Sequence, residues 1–320
     1  MEVLSTLLKK YETAKGRSVK RIPTDLLSLD YVLDGGFPLG RIIEIYGENG
    51  TGKTTTTMYI VKRILEQMPK KSVVFIDAEY SFNADWASKL GLDVEKLINK
   101  GKLYILYPKD MDEAFNAAID VAKSSEASLI VIDSLATLLP REIFDENDPI
   151  AFSRPGLTAK KQTMFFETVT PILANTDTGM VVINQVRANI SPYGASRSVP
   201  GAYAFKHLTA VRLETKREQY MGSKTAPTGI MTTIKCHKNK VGIPFRSESF
   251  VIDTQTGLDI YMSNIEFMLS RGYIKRNGSA YKIGDRSIKG REGVKKYFQE
   301  NPKEYQEILK KCQNDILSNL

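Results

Sequence analysis

The chain of 320 residues is 42% hydrophobic and 26% charged, proportions of a globular protein that buries one large core and a smaller second one. No apolar run reaches the ~20 residues of a membrane helix, and the N-terminus lacks the pattern of a signal peptide. Cys236 and Cys312 show no C-x-x-C spacing and no histidine cluster, so we expect reduced thiols in a cytoplasmic protein without membrane contacts. The net charge of +8 is compatible with a polyanionic partner but does not by itself indicate one.

The N-terminal segment, residues 1–21, is predicted to be a short amphipathic helix over residues 2–15 followed by a basic linker. Leu4, Leu7, Leu8 and Tyr11 would share one face of this helix. Because so short a helix is marginal alone, it should dock on its own core or on a neighbouring subunit.

A phosphate-binding loop with the pattern G-x-x-x-x-G-K-T follows the apolar run Arg41–Tyr46, which predicts a buried strand. Apolar residues then continue at helical spacing, as the motif requires. Backbone N–H groups of the loop would hold the phosphates of a nucleoside triphosphate, with Lys53 neutralising charge and Thr54 binding Mg²⁺. The alternative is an ordinary glycine turn with a surface lysine. The predicted ATP-binding residues here are Gly47, Glu48, Asn49, Gly50, Thr51, Gly52, Lys53, Thr54 and Thr55.

Strands and helices then alternate, which predicts right-handed βαβ units and a mainly parallel sheet covered on both faces. The predicted strands are Ser72–Ile76, Leu103–Leu106, Ser128–Ile132 and Gly179–Ile183, and the predicted helices between them include Asp85–Leu90, Met111–Ser124 and Lys160–Asn175.

After Ala204 the pattern changes to strands joined by short turns, which suggests an antiparallel extension of the sheet: Thr209–Lys216, Gly229–His237 and Arg246–Ile252. A strand is also expected to begin at Phe205. From Ser263 we expect a small α+β domain with a helix, a hairpin turning at Asn277-Gly278 and two more helices. Residues 271–296 hold nine Lys or Arg and two Asp or Glu, which fits either a DNA-binding surface or an ordinary solvated one.

Two carboxylates stand at the ends of predicted strands, where open α/β sheets bind ligands. Asp133 could hold Mg²⁺ or its water, or it could cap a helix over Leu135–Leu139. Glu79 could orient and deprotonate an attacking water, or it could be an exposed loop residue, and spacing does not separate these alternatives.

Gln185 ends another apolar strand, where its amide can contact a γ-phosphate. It leads into Val186–Phe205, a long segment rich in Gly, Ser and Pro that is either functional or a flexible insertion.

Several ordered motifs together resemble the bacterial RecA recombinases over nearly the whole chain. Besides the phosphate loop, they are Phe75–Glu79, Val131–Ala136, Ile183–Arg187, Ala204–His207, Val211–Leu213, Lys238–Lys240 and Pro244–Phe245. The resemblance implies a RecA-like phosphate-loop ATPase core over residues 22–262 and a basic DNA-binding domain over residues 263–320. ATP and Mg²⁺ are the implied cofactors.

The resemblance also implies residue roles. Glu79 matches the catalytic glutamate, Asp133 the magnesium-side aspartate, Gln185 the γ-phosphate sensor and Trp86 the aromatic residue that stacks on adenine. Lys238 and Lys240 match a lysine pair that reaches a neighbouring subunit's ATP. The implied DNA-binding loops are about Phe144–Lys160 and Val186–Phe205, and the implied DNA-binding residues are Lys160, Arg187, Ile190, Arg197, Lys216, Arg217 and Lys235.

The function implied is that of a DNA-dependent ATPase, active in recombinational repair, that forms helical filaments on single-stranded DNA and exchanges strands with duplex DNA. Two alternatives stay open: a hexameric helicase motor of the same fold, and a regulatory paralogue that binds ATP and partners without strand exchange.

Overall fold

The computed structural model describes residues 18–144, 156–191, 194–199, 201–222 and 227–318, and only the backbone of 187–191, 194–198 and 222. The helix predicted over residues 2–15 and most of the first predicted DNA-binding loop lie outside these ranges. Within them, no helix is both long and apolar enough to cross a membrane.

The described strands are β1 (Arg21–Ile22), β2 (Phe37–Pro38), β3 (Ile42–Gly47), β4 (Ser72–Asp77), β5 (Leu103–Leu106), β6 (Ala127–Asp133), β7 (Gly179–Gln185), β8 (Arg187–Ser191), β9 (Gly194–Ser198), β10 (Val211–Gly222), β11 (Pro227–Asn239), β12 (Ser247–Asp253), β13 (Gly257–Leu258), β14 (Lys275–Asn277), β15 (Ala280–Ile283) and β16 (Arg286–Lys289). The described helices are α1 (Leu27–Val32), α2 (Lys53–Gln67), α3 (Ala84–Lys89), α4 (Val94–Asn99), α5 (Met111–Ser124), α6 (Leu157–Thr176), α7 (Tyr203–Leu208), α8 (Ile260–Ser270), α9 (Arg291–Glu300) and α10 (Pro302–Ser318), with a 3-10 turn at Arg141–Ile143.

Nine strands form one sheet in the order β13-β12-β11-β10-β3-β7-β6-β4-β5. The six strands from β10 to β5 are parallel to their neighbours, whereas β11, β12 and β13 pair antiparallel. This confirms the predicted parallel sheet with an antiparallel extension. Strands β4 to β7 all lie on one side of β3, and the chain crosses to the other side only with β10. Because these strands are parallel, the carboxyl ends of β3, β4, β6 and β7 lie at one edge of the sheet, where β3 leads into the phosphate-binding loop.

Both faces of the sheet are buried, which explains why its central strands are continuous apolar runs. One core lies under α2 and includes Ile43, Ile45 and Ile60. The other lies under α5, α6 and α7, where the Phe115 and Phe165 rings stack with centroids 4.0 Å apart.

The C-terminal unit has its own core beneath α8, α9 and α10, to which Leu27 of α1 also belongs. Asn264 of α8 joins this unit to the start of α1, because its side chain accepts from the Leu27 N–H and donates to the Asp25 carbonyl. α8 begins at Ile260 and therefore crosses the predicted boundary at residue 262, while the division into domains itself stays a prediction.

Four local predictions differ from the structure. The segment after Gln185 contains a hairpin, β8–β9, where the sequence predicts no strands. Phe205 lies in helix α7 rather than at the start of a strand. Leu135–Leu139 forms a turn and no helix, which removes the helix-capping alternative for Asp133. A third strand, β16, extends the predicted C-terminal hairpin.

Candidate nucleotide-binding site and DNA-facing elements

The phosphate-binding loop connects the buried strand β3 to α2. Gly52 adopts φ +88° immediately before the helix, a conformation that favours glycine. A Cβ on Gly47 would lie 2.4 Å from the Thr215 carbonyl oxygen, so β10 passes too close for a side chain. Thr51 closes the loop, because its hydroxyl donates to the Glu48 carbonyl at 2.8 Å. The loop is therefore fixed from both sides without a ligand.

Lys53 is the first residue of α2, and its side chain is almost fully buried. Its ammonium group donates to the Glu48 carbonyl at 2.8 Å and so folds back over the loop. Burial lowers the pKa of Lys53, and the carboxylates of Asp133 and Glu79 oppose that shift. A cation held this way can neutralise the negative charge of a bound phosphate group.

Thr54 and Asp133 are brought together as the magnesium prediction requires, with the Thr54 hydroxyl 3.0 Å from Asp133 Oδ2. Burial, and then the charge of Glu79, raise the pKa of Asp133 to about 7. Mg²⁺ prefers a few protein oxygens completed by phosphates and water. The Thr54 hydroxyl and the Asp133 carboxylate are two oxygens of that kind, held side by side.

Glu79 lies in a hydrogen-bond network that spans three strands. The Ser134 hydroxyl donates to Glu79 Oε1 at 2.5 Å, and the Gln185 amide donates to the same oxygen at 2.7 Å. The Glu79 backbone N–H donates to Asp77 Oδ1 at 3.2 Å. Glu79 is thus half-buried and hydrogen-bonded, unlike the exposed loop residue of the alternative, while its catalytic role stays a prediction.

Trp86 lies beside α2, and its indole N–H donates to the Thr55 hydroxyl at 3.0 Å. The Lys89 ammonium group lies 5.5 Å from the centre of the indole ring. Thr55, the residue that follows the phosphate-binding loop, therefore holds the indole ring next to that loop.

Lys238 and Lys240 do not join the nucleotide site of their own chain. The ammonium group of Lys238 donates to the carbonyl oxygens of Lys206 and His207, at 2.6 and 2.9 Å, and that of Lys240 donates to His207 at 2.5 Å. Burial and the charge of Lys240 lower the pKa of Lys238 to about 8. Both lysines thus cap the C-terminal end of α7.

Comparison with known proteins decides the family. The family described as the RecA N-terminal domain matches residues 5–259, well over half of the chain. The chain belongs to the RecA family. It is 33% identical over 300 residues to the protein RecA of Tropheryma whipplei, covering 93% of this chain and 65% of that protein. It is 33% identical to the protein RecA of Frankia alni, covering 93% of this chain and 84% of the relative. The chain thus spans about two thirds of the former relative's length.

A solved structure of the RadB recombinase has the same fold as this RecA family member. Its TM-score is 0.55 at 20% sequence identity, and the match covers 74% of this chain and 98% of that one. At this identity the likeness concerns the fold alone.

The residues predicted to bind DNA are distributed over five elements, α6, β8, β9, β10 and β11. Lys160 is exposed in the first turns of α6. On the β10–β11 hairpin, Lys216 is 3.1 Å from Glu214, Arg217 lies over the Tyr220 ring at 4.7 Å, and Lys235 is exposed. Three further residues belong to the described backbone of β8–β9, and their side chains lie outside the described part: Arg187, Ile190 and Arg197.

Several residues that shape the site were not predicted. Asp77 accepts the backbone N–H groups of Glu79 and Phe82 and so fixes the turn that carries Glu79. Its place at the end of an apolar run was a usable signal. Ser134 and Thr215 act through contacts distant in sequence, and nothing near them in the chain indicates those contacts.

Proposed function

We propose that this protein is a DNA-dependent ATPase that assembles into helical filaments on single-stranded DNA and carries out homologous pairing and strand exchange. The observation that supports this most directly is the hydrogen bond between Gln185 and Glu79. It joins a candidate catalytic carboxylate to the residue at which the chain leaves β7 for the β8–β9 hairpin. Hydrolysis and DNA binding would therefore share one contact.

In the proposed reaction, ATP binds with its phosphates in the loop that ends at Lys53. Thr54 and Asp133 would hold Mg²⁺, which supplies positive charge to the phosphate oxygens when bound. The indole of Trp86 would stack on the adenine, since an aromatic ring beside α2 offers a flat apolar face.

Glu79 would act as the general base toward the attacking water. The two side-chain donors to its carboxylate, Ser134 and Gln185, use the same oxygen, Oε1. Among the described residues no hydrogen bond to Oε2 is formed, so this oxygen can accept the water proton. Ser134 would hold the carboxylate in one orientation as the proton moves.

Gln185 would report the state of the nucleotide to DNA. When a γ-phosphate attracts the Gln185 amide, the hydrogen bond to Glu79 is lost. The contacts at the base of the β8–β9 hairpin then change. Such order changes next to a γ-phosphate are a general switching mechanism. Arg187 and Arg197 on that hairpin would then contact DNA phosphates, and Ile190 would separate bases.

A strand-exchange assay tests the proposal. The intact chain should convert circular single-stranded DNA and homologous linear duplex into joint molecules in the presence of ATP and Mg²⁺. Lys53→Ala should form none, because the buried phosphates lose their cation. ATP-driven unwinding of a duplex without joint molecules would instead identify a helicase, and ATP binding with neither activity would identify a regulatory paralogue.

A further inference from the structure

The end of β11 and the segment that joins it to β12 carry the lysine pair, and we call residues 238–246 the lysine loop. Its conformation is set largely by contacts with residues more than 200 positions earlier in the chain. The loop therefore depends on an anchor outside itself.

Asp34 is the centre of this anchor. Its carboxylate is completely buried, in the turn after α1. Oδ2 accepts from the Asn239 side-chain amide at 3.2 Å and from the Ile243 backbone N–H, while Oδ1 pairs with Arg246 at 2.5 Å. A single carboxylate thus binds the lysine loop near its beginning, in its middle and at its end.

The contact is close enough to constrain the sequence of the loop. A Cβ at Gly242 would lie 1.9 Å from Asp34 Oδ2, so the carboxylate packs directly against the loop backbone. Two arginines support it: Arg21 donates to the Val241 carbonyl, and Arg246 also donates to the Tyr31 carbonyl at 3.0 Å.

Lys240 lies between the anchored points. Its backbone N–H donates to the Ala210 carbonyl at 2.8 Å, and the next N–H, of Val241, donates to the Asn239 side chain at 3.0 Å. Asn239, which lies between the two lysines, therefore contacts both Asp34 and the backbone of the residue after Lys240. A shift of Asp34 would move both ammonium groups.

We propose that Asp34 is a positioning residue for ATP hydrolysis in the neighbouring subunit, acting by fixing the lysine loop that delivers Lys238 and Lys240 across the interface. This inference rests on the proposed function, in which the lysine pair serves a neighbour's nucleotide. It adds a requirement for a buried carboxylate in a different part of the chain.

Replacement by asparagine tests the anchor with little change of volume. Asp34→Asn places an amide NH₂ against either the Ile243 N–H or Arg246. In at least one of these contacts, two hydrogen-bond donors then face each other with no acceptor between them. DNA-stimulated ATP hydrolysis should fall by about 100-fold, as expected when a reacting group is displaced by about 1 Å. Binding of ATP to the variant's own site, followed by Trp86 fluorescence, should be unchanged.

Mixed filaments separate positioning from a general loss of structure. Asp34→Asn retains its own catalytic Glu79, and Glu79→Gln retains an intact lysine loop. In a head-to-tail assembly of equal parts, about a quarter of the interfaces combine these two intact halves, so hydrolysis should recover to about a quarter of the parental rate. Lys240→Ala mixed with Glu79→Gln should recover equally, whereas Asp34→Asn mixed with Lys240→Ala should stay inactive.

Three results would overturn the inference. Asp34→Asn could hydrolyse ATP at the parental rate. It could fail to recover with Glu79→Gln while Lys240→Ala recovers, which would mean that Asp34 acts within its own subunit. If Lys240→Ala also fails to recover, the shared site of the proposed function falls, and this inference with it. Should Asp34→Asn not fold, Asn239→Ala, which removes one donor to the same carboxylate, replaces it in the same mixtures.

Discussion

Asp133 is only 3% exposed, and burial together with the charge of Glu79 raises its pKa from 3.8 to about 7. The folded protein therefore holds this proton more tightly than the unfolded chain does. Its contribution to stability is present below the ordinary pKa of 3.8 and is lost as the pH rises through about 7. At neutral pH and without a ligand, the buried charge of an ionised Asp133 lowers the stability of the fold. This is expected of a carboxylate whose charge serves to bind a cation.

We expect Asp133→Asn to stabilise the ligand-free protein at pH 7, by at least ~1 kcal/mol, because the variant has no charge to bury. The gain should be small at pH 4, where the parental carboxyl is also neutral. Urea unfolding of both proteins between pH 4 and 7.5 measures it. Parallel profiles would show that the Asp133 pKa is not raised.

Glu79→Gln should bind ATP with parental affinity, seen by the fluorescence of Trp86, the chain's one tryptophan. Hydrolysis on single-stranded DNA should fall by about 10²–10⁴-fold, the usual contribution of a general base. Ser134→Ala is the matched control, because it removes one donor to Glu79 but leaves the carboxylate, and its loss should be much smaller. Parental turnover by Glu79→Gln would contradict the role of Glu79.

Sequence predicted the residues of the site better than their connections. Lys53, Thr54 and Asp133 could be found because each stands at a strand end or in a motif whose chemistry is local. The bonds of Glu79 to Ser134 and Gln185 could not, since they join strands that become neighbours only when the sheet forms. Asp34 was missed for the same reason: its partners lie more than 200 residues away.

At the scale of elements, the parallel strands were predictable because burial on both faces leaves continuous apolar runs. The β8–β9 hairpin was not, because Ile190 is the one large apolar residue in its two strands and β9 holds only small residues and Arg197. Phe205, which follows Pro200-Gly201-Ala202, is wrongly predicted to begin a strand. In the structure it packs in α7 against Phe166, with ring centroids 4.3 Å apart.

If the β8–β9 hairpin is the DNA-contacting switch, trypsin should cleave after Arg187 and Arg197 in the free protein. Single-stranded DNA together with a non-hydrolysable ATP analogue should suppress both cuts, because only then are phosphate contacts and the Gln185 signal present together. Mass spectrometry of timed digests identifies the sites. Full protection by nucleotide alone, or none with both ligands, would mean that another element contacts DNA.

The small sheet of the C-terminal unit offers a second test at this scale. Lys275 and Lys282 are directly paired on β14 and β15, and both are exposed. If they contact duplex phosphates, replacing both by alanine should lower the salt dependence of duplex binding by about two counterions. Lys96→Ala with Lys100→Ala, on and just after α4, is the control of equal charge change. Equal slopes for the two double variants would show an ordinary solvated surface.

At the scale of the whole molecule, the proposed function requires that ATP be hydrolysed by an assembly of subunits. The ammonium groups of the lysine pair contact the C-terminal end of α7 in their own chain, and within the described residues none of their hydrogen bonds reaches the phosphate-binding loop. Lys238→Ala and Lys240→Ala should therefore fold and bind nucleotide normally yet lose cooperative ATPase activity. A dilution series measures this, and full activity of monomers would contradict a shared site.

Electron microscopy of the intact chain tests the central claim most directly. With single-stranded DNA and a non-hydrolysable ATP analogue, we predict continuous helical filaments along the DNA, and none when the nucleotide is omitted or Lys53 is replaced by alanine. Closed rings, or single particles under the same conditions, would contradict it.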